Sequence, residues 1–237
     1  MRRQLHGDLK MLRKSLLVCG MLASLVYVGT DVLAAIRYPE YHSFTSRAIS
    51  ELMASGAPTE RLVDPIFLLY GVLMLAFAVG VWMSSSRKRV HVTAGLLFAY
   101  AAIGFLGPTF FEMNVRGTGE STRDVLHIAL TGVLVLFILA AVAVGASIRE
   151  RWFRLYSFAT LLVMVVFGVL TSFTMRGVGT GDPTPWVGIM ERVNIGAFLL
   201  WVVVLAVSLL RAPRSTDLGA TKSPRGGTPP WAAVHQP

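Results

Sequence analysis

The sequence predicts an all-α membrane protein, a polytopic bundle of six transmembrane helices. A hydrophobic content of 54% and a mean hydropathy of +0.62 leave little chain for a separate soluble domain. Six apolar stretches divide the 237 residues, and each is near the roughly 20 residues that an α-helix needs to cross a bilayer. The stretches are Leu16–Ile36, Val63–Met83, Val92–Phe111, Val125–Ala146, Phe153–Phe173 and Val193–Leu210.

The charges between these stretches predict the orientation. Counted alternately from the N-terminus, the odd-numbered flanks hold 15 of the 22 Lys and Arg residues, but only Asp8, Glu150 and Asp217 among the 13 acids. Because cytoplasmic loops are enriched in Lys and Arg, both termini are predicted to be cytoplasmic, with the protein in the cell (plasma) membrane. Attraction to anionic membrane lipid accounts for the net charge of +9, so no nucleic-acid partner is predicted.

The first apolar stretch is longer than a signal-peptide core, and its removal would break the charge alternation, so a retained helix is predicted. In the outer loop that follows, Phe44–Met53 (FTSRAISELM) places apolar residues on one helical face and Arg47, Ser50 and Glu51 on the other. Gly56-Ala57-Pro58 would end such a helix. A short amphipathic helix at the membrane interface, or covering the bundle, is therefore predicted.

Turn residues and charges mark the other boundaries. Ser84–Arg89 (SSSRKR) and Ile148–Trp152 (IRERW) are predicted inner turns. Gly107-Pro108 is predicted to end the third helix, and Gly177–Gly188 (GVGTGDPTPWVG) to form the outer loop before the sixth. Residues 1–211 then form one transmembrane domain. The Pro-, Gly-, Ser- and Thr-rich residues 212–237 are predicted to be a disordered cytoplasmic tail.

Asp31 is the most informative single residue, because it lies inside the first apolar stretch. Gly20, Ser24, Tyr27 and Asp31 share a helical face, and small residues mark where membrane helices approach closely. The carboxylate is therefore predicted to point into the bundle. An intramembrane acid is costly unless it is paired, so it is a candidate ligand-binding or catalytic group. A structural pair with an outer Arg or Tyr is the alternative.

Two histidines lie on the predicted outer side, His127 and His42. Asp124, His127 and Thr131 form a stripe on the fourth helix, and an Asp-x-x-His pair suits metal ligation or general base catalysis. Ser121 and Asp124 also have the spacing of a capping box, which explains Asp124 locally. His42 would lie beside these groups or in solvent. These signals assign no metal site, and the cofactor is unknown.

A charged pair recurs at the outer starts of the even-numbered helices. These pairs are Glu60-Arg61, Arg123-Asp124 and Glu191-Arg192. Helix N-termini carry partial positive charge and free N–H groups, so converging starts would form a cradle for phosphate or carboxylate. Ordinary capping and salt bridges are the alternative.

Three outer-side motifs resemble the domain-of-unknown-function 998 family, a group of uncharacterised bacterial membrane proteins. The motifs are ISELMASGAP at Ile49–Pro58, LHI at Leu126–Ile128, and Glu191-Arg192 leading to Leu200-Trp201. The resemblance covers about residues 15–211 and implies a six-helix integral membrane protein with no established reaction. Its matching positions are Ser50, Glu51, Gly56, Pro58, His127, Glu191 and Arg192. Members tend to show a Phe-Pro-x-Asp-like stretch after the third helix, which Gly107–Glu112 (GPTFFE) matches only approximately.

Three functions fit this pattern. The first is a protein that binds, or by extension transports, a lipid or small amphiphile in an outward-facing polar pocket. The second is a structural or partner-binding envelope protein, as a homo-oligomer or with a membrane partner. The third is an intramembrane hydrolase or transferase that uses His127, His42 and Asp31. The predicted ligand-binding residues are Asp31, Ser50, Glu51, His127, Glu191 and Arg192.

Overall fold

The computed structural model describes residues 2–110, 112–119 and 121–212, and these are all-α, with no strand among them. Six helices within these ranges are long and apolar enough to cross a membrane, which confirms the predicted six-helix membrane fold. They are α1 (Arg2–Arg37), α2 (Glu60–Trp82), α3 (Lys88–Phe110), α4 (Thr122–Gly145), α5 (Arg151–Thr180) and α6 (Val187–Arg211). The predicted tail lies outside the described residues, apart from Ala212.

Several helices extend beyond the apolar stretches that predict them. α1 has 36 residues, because its polar start is rich in Lys, Arg and Leu, which are good helix formers. α3 continues to Phe110 and does not end at Gly107-Pro108, so Pro108 lies in its last turn and the helix ends two residues later. α5 continues to Thr180 and is ended by Gly181, whose φ of 82° favours glycine.

The helices form a closed ring in sequence order. Each packs against the next, and α6 packs back against α1. The core contains the fully buried Phe77, Phe153, Phe198 and Trp201. Gly145 is needed where α4 meets α6, because a Cβ there would lie 2.6 Å from Cζ2 of Trp201.

The three connections α1–α2, α3–α4 and α5–α6 lie at the same end of the ring, which we call the loop end. Backbone hydrogen bonds join them directly. Ser55 N–H donates to the Met113 carbonyl at 2.8 Å, and Gly188 N–H donates to the Thr45 carbonyl at 2.8 Å. The loop end is therefore one connected unit, which sets the positions of its polar side chains.

The first connection differs from its prediction. Instead of a helix over Phe44–Met53, it contains a four-residue 3-10 helix, Ser50–Met53. The N–H groups of Ala48 and Ile49 donate to the carboxylates of Glu51 and Glu191. These carboxylates thus accept N–H groups that an α-helix would bond to its own carbonyl oxygens. The segment therefore does not form the helix that its apolar periodicity predicts.

Candidate functional site

An ion pair between the first and last helices lies near the centre of the loop end. Asp31 of α1 is only 7% exposed, and its carboxylate accepts two hydrogen bonds from Arg192 of α6. Nε donates to Oδ2 at 2.8 Å, and Nη2 donates to Oδ1 at 2.7 Å. Nε2 of His42, whose side chain is 2% exposed, lies 2.9 Å from Oδ1. Asp31 thus points into the bundle and forms a bidentate pair, the strong geometry for Arg and carboxylate.

The rest of the Arg192 guanidinium is bound by backbone. Nη1 donates to the carbonyl oxygens of Arg47 at 2.7 Å, Gly188 at 3.0 Å and Phe44 at 3.2 Å. A Cβ at Gly188 would lie 2.5 Å from the Arg47 carbonyl oxygen, so only glycine fits this close approach. The Arg192 contacts in the described part of the chain do not involve Arg61 or Arg123, which are both exposed. Arg192 therefore joins α6 to the first connection.

Glu51 is a second buried acid at the loop end, and its side chain is fully buried. Its Oε1 accepts from Ala48 N–H at 2.9 Å and from Nη2 of Arg116 at 2.7 Å. Its Oε2 accepts from Nε of Arg116 at 2.9 Å and from Nη1 of Arg47 at 3.0 Å. Burial of this charge is compensated by four donors, three of which belong to the guanidinium groups of two arginines.

Arg116 extends this contact to the third connection. Its Nη1 donates to Oγ1 of Thr184 at 2.7 Å and to the Asp182 carbonyl at 3.2 Å, and its Nη2 donates to the Ser46 carbonyl at 3.0 Å. We call Glu51, Arg47, Arg116 and Thr184 the Glu51 network. Arg116 was not predicted from the sequence, where its only signal was its position outside the predicted cytoplasmic flanks.

Glu191 and Ser50 also belong to the packed loop end. The Glu191 carboxylate accepts the N–H of Ile49, and Ser50 opens the 3-10 helix. Beside them, the hydroxyl of Tyr41 donates to the Glu51 carbonyl at 3.0 Å, and the Arg47 guanidinium lies 4.5 Å from the centre of the Tyr41 ring. Burial raises the pKa of Tyr41, so the phenol stays protonated and continues to donate.

His127 lies away from the Asp31 pair. Asp124 accepts the N–H of Ser121 at 3.0 Å and forms the predicted capping box, and it also accepts the N–H of Asn114 at 2.8 Å. His127 is half-buried one turn later on α4, which packs mainly against α3 and α5, whereas α1 packs against α2 and α6. The described partners of Asp31 are His42 and Arg192. The structure thus brings Asp31 and His42 into contact, whereas His127 belongs to a helix that is not a neighbour of α1 in the ring.

A cleft of about 230 Å³ opens between α1 and α6, beside the Asp31–Arg192 pair. The pair lies toward the loop end of the cleft, and apolar residues line the rest. Four of these are Val28 and Val32 of α1 and Ile195 and Leu199 of α6. Val28 and Val32 are 52% and 44% exposed, so the cleft opens on the side of the bundle that faces lipid. Gly196 forms part of its wall.

A separate group of three acids also lies toward the loop end. Glu60, Asp64 and Glu112 each place one carboxylate oxygen within 4.8 Å of the others. The Glu60 carboxylate also accepts the N–H of Gly56 at 2.6 Å. Their proximity was not predicted from the sequence. Acidic groups of this kind are common without an ion, so the spacing alone assigns no metal.

The comparisons with known proteins identify a family. The model of the family described as "Protein of unknown function (DUF998)" matches residues 21–208, which include all the residues of the Asp31 pair, the Glu51 network and the cleft. The searches of curated proteins and of solved structures found no match. The chain, a multi-pass membrane protein, thus belongs to the DUF998 family of proteins of unknown function.

Proposed function

We propose that this protein binds a lipid or other small amphiphile in the cleft between α1 and α6. The observation that carries the proposal is the polarity of the cleft, which has one charged pair at the loop end and apolar walls elsewhere. An amphiphile has the same distribution, with one polar head and an apolar tail. The site is less polar than the outward-facing pocket expected from the sequence, because Asp31 and Arg192 neutralise each other.

The position of the cleft along the helices supports the same function. Trp186 precedes the first turn of α6 and is 58% exposed, and indole rings favour the boundary between headgroups and hydrocarbon. The Asp31–Arg192 pair lies on the membrane side of this boundary. A bound amphiphile would place its head near the interface and its tail along α1 and α6.

Binding is better supported than transport. The half of the bundle away from the loop end is closed by large apolar side chains that are fully buried: Leu17, Phe77, Phe153, Trp201 and Leu205. Buried polar residues such as Arg13, Thr93 and Ser157 lie among these side chains. The cleft itself is lined by α1, α6 and the first connection, and such a local site suits a bound molecule.

An enzyme using the histidines is less well supported. The side chain of His42 is 2% exposed, so its ring does not reach a molecule in the cleft. His127 lies on a different part of the ring of helices. General acid–base catalysis requires hydrogen-bonding contact with the substrate, which this arrangement does not provide.

A purely structural role is the second candidate, and the many hydrogen bonds of Arg192 to Asp31 and to backbone carbonyls favour it. The two functions differ in one respect. A binding protein needs the cleft to be open, whereas a structural protein needs only the ion pair. Filling the cleft without touching the pair therefore separates them.

Gly196→Leu is the variant that fills the cleft. A Cβ at Gly196 meets no described atom within 4 Å, so the new side chain enters open space. Gly132→Leu on α4 is the matched control, because its Cβ also meets no described atom within 4 Å and α4 does not line the cleft. Leucine has a higher helix propensity than glycine, so neither substitution should weaken the helix that contains it.

The measurement is native mass spectrometry of protein purified in mild detergent, with co-purified lipids identified after extraction. We expect bound lipid on the wild type and on Gly132→Leu, and at least a tenfold lower occupancy on Gly196→Leu. Equal occupancy in all three proteins, or no bound lipid on the wild type even after lipid is added, would contradict the proposal and favour the structural role.

A further inference from the structure

We propose that the bound amphiphile has a single hydrocarbon chain and an uncharged head that donates a hydrogen bond, such as the hydroxyl of a monoacylglycerol or a long-chain alcohol. This inference rests on the proposed function and adds the chemical class of the ligand. It also reverses the expectation that Arg192 helps to form a cradle for phosphate or carboxylate.

Arg192 has almost no donor left for an anion. Its Nε and one N–H of Nη2 donate to Asp31, and carbonyl oxygens of Phe44, Arg47 and Gly188 surround Nη1. The remaining N–H of Nη2 lies 3.3 Å from Nε2 of the buried His42 ring, and it is the one N–H of the guanidinium without an acceptor when Nε2 donates its proton to Asp31. A phosphate in the cleft would lose its water and gain at most this one donor, which is costly for an anion.

Asp31, by contrast, keeps one acceptor position. Each carboxylate oxygen accepts about two hydrogen bonds. Oδ1 has two neighbours, Nη2 of Arg192 at 2.7 Å and Nε2 of His42 at 2.9 Å, whereas Oδ2 has only Nε of Arg192 at 2.8 Å. Asp31 also lines the cleft. The polar end of the cleft thus offers an acceptor, which a hydroxyl satisfies.

The charge of the site favours a neutral head over a cationic one. Asp31 and Arg192 carry opposite charges in direct contact, so the pair has no net charge to attract an amine. A protonated amine near the guanidinium would also meet a like charge. A hydroxyl donates the hydrogen bond without adding a charge to a site of low dielectric.

The volume of the cleft indicates one chain. A cavity of about 150 Å³ accommodates benzene, and the cleft measures about 230 Å³. It therefore holds one segment of hydrocarbon, with the remainder of the chain lying along the lipid-facing surface. The walls of the cleft therefore contact one hydrocarbon chain at a time.

Three probes with the same oleoyl chain test the head. They are 1-oleoylglycerol, which is neutral and donates; methyl oleate, which is neutral and cannot donate; and 1-oleoyl-lysophosphatidate, which is anionic. Each is titrated by native mass spectrometry against the wild type, Gly196→Leu and Gly132→Leu. The Gly196→Leu variant measures binding outside the cleft, which is subtracted.

We expect 1-oleoylglycerol to bind about tenfold more tightly than methyl oleate, because one hydrogen bond to a charged acceptor is gained. Lysophosphatidate should bind no more tightly than methyl oleate. The inference would be overturned if lysophosphatidate bound as tightly as 1-oleoylglycerol or more tightly. It would also be overturned if methyl oleate bound as tightly as 1-oleoylglycerol. In those cases the proposed function stands if Gly196→Leu still weakens binding, and it fails if no probe distinguishes Gly196→Leu from the wild type.

Asp31→Asn provides a second test through a ratio of affinities. The amide removes the negative charge that holds the donors of Arg192, so the guanidinium becomes available to an anion. We expect the preference for 1-oleoylglycerol over lysophosphatidate to fall at least tenfold or to reverse. An unchanged ratio would contradict the assigned acceptor role of Asp31. The wild-type ranking decides by itself if this variant does not fold.

Discussion

The carboxylate of Asp31 is stable in a membrane helix because its partners are prearranged. Removing a carboxylate from water costs several kcal/mol, and this cost is recovered only with good geometry and full hydrogen bonding. The bidentate contact with Arg192 and the contact with His42 provide the geometry and most of the hydrogen bonds, and one acceptor position of Oδ2 remains. The effects of substitution are therefore asymmetric, because removing one partner leaves the other charge buried.

We expect Arg192→Ala to lower the free energy of unfolding by about 3 kcal/mol, because it leaves the carboxylate of Asp31 buried without its main partner. The double variant Asp31→Ala/Arg192→Ala should lose less than the sum of the two single losses, since it leaves no unpaired charge. Denaturant unfolding in detergent micelles measures all of these values. Arg61→Ala, at an exposed arginine of α2, is the control, and an equal loss in Arg61→Ala and Arg192→Ala would contradict the buried pair.

At the scale of elements, the loop end replaces regular secondary structure with side-chain hydrogen bonds. The first connection contains only the 3-10 helix Ser50–Met53, yet its backbone is fixed by Glu51, Glu191 and Arg192. The Glu51 network also joins the second and third connections through Arg116. The three connections should consequently loosen together when the network is broken.

Glu51→Gln tests this coupling. The amide keeps the size of the side chain but removes the charge that two arginines share, so several donors lose their acceptor. We expect amide hydrogen exchange to rise about tenfold or more in residues 46–54, 114–118 and 182–186, as one to two kcal/mol of local stability is lost. Mass spectrometry of exchanged peptides gives the readout.

Glu40→Gln, at an exposed position of the same connection, is the control for loss of one charge. It should leave exchange at the loop end unchanged. Faster exchange confined to residues 46–54 in Glu51→Gln would show that the connections move independently and that Arg116 does not couple them.

At the scale of the whole molecule, the contact of α6 with α1 closes the ring and creates the cleft. These helices lie at opposite ends of the chain, and Asp31 and Arg192 are separated by 161 positions. The charge pattern predicts that this loop end lies outside the cytoplasm. This orientation would decide which leaflet supplies the proposed ligand.

Cysteine accessibility tests the orientation. Cys19 is the only cysteine, so Cys19→Ser provides a background for single cysteines at two exposed positions. On intact cells, a membrane-impermeant maleimide should label Glu40→Cys at the loop end, and should label Arg87→Cys between α2 and α3 only after permeabilisation. The reverse pattern would mean that the positive-inside bias does not orient this chain.

The parts of the site differ in how far sequence predicts them. The capping box of Ser121 and Asp124 was predicted correctly because it depends on two residues three positions apart. Asp31 was identified as a candidate because a charged residue within an apolar stretch can be recognised from the sequence alone. A pair with an outer Arg was one of two alternatives for Asp31, and His42 was grouped with it only in the enzyme hypothesis. Sequence did not select Arg192 among the outer arginines, because long-range contacts have no signature in a single sequence.

Periodicity was misleading in the first connection. The apolar pattern of Phe44–Met53 is typical of an amphipathic helix. In the structure, the buried carboxylates of Glu51 and Glu191 accept N–H groups of this segment, so tertiary contacts overrode the local preference. Arg116 was overlooked because an arginine in a short loop belongs to no periodic pattern. Gly196 was overlooked for a similar reason, since a glycine shows its importance only when the neighbouring helix is known.

The sequence by itself determined the class of this protein. Hydropathy and length are properties of consecutive residues, and a bilayer demands about 20 apolar ones for each helix, so six spans follow from the chain alone. Only the tertiary structure decided which charges meet, that Arg192 is already occupied and that a cleft opens between α1 and α6. Those features depend on how helices distant in the chain pack, and packing depends on the shapes of all the side chains together.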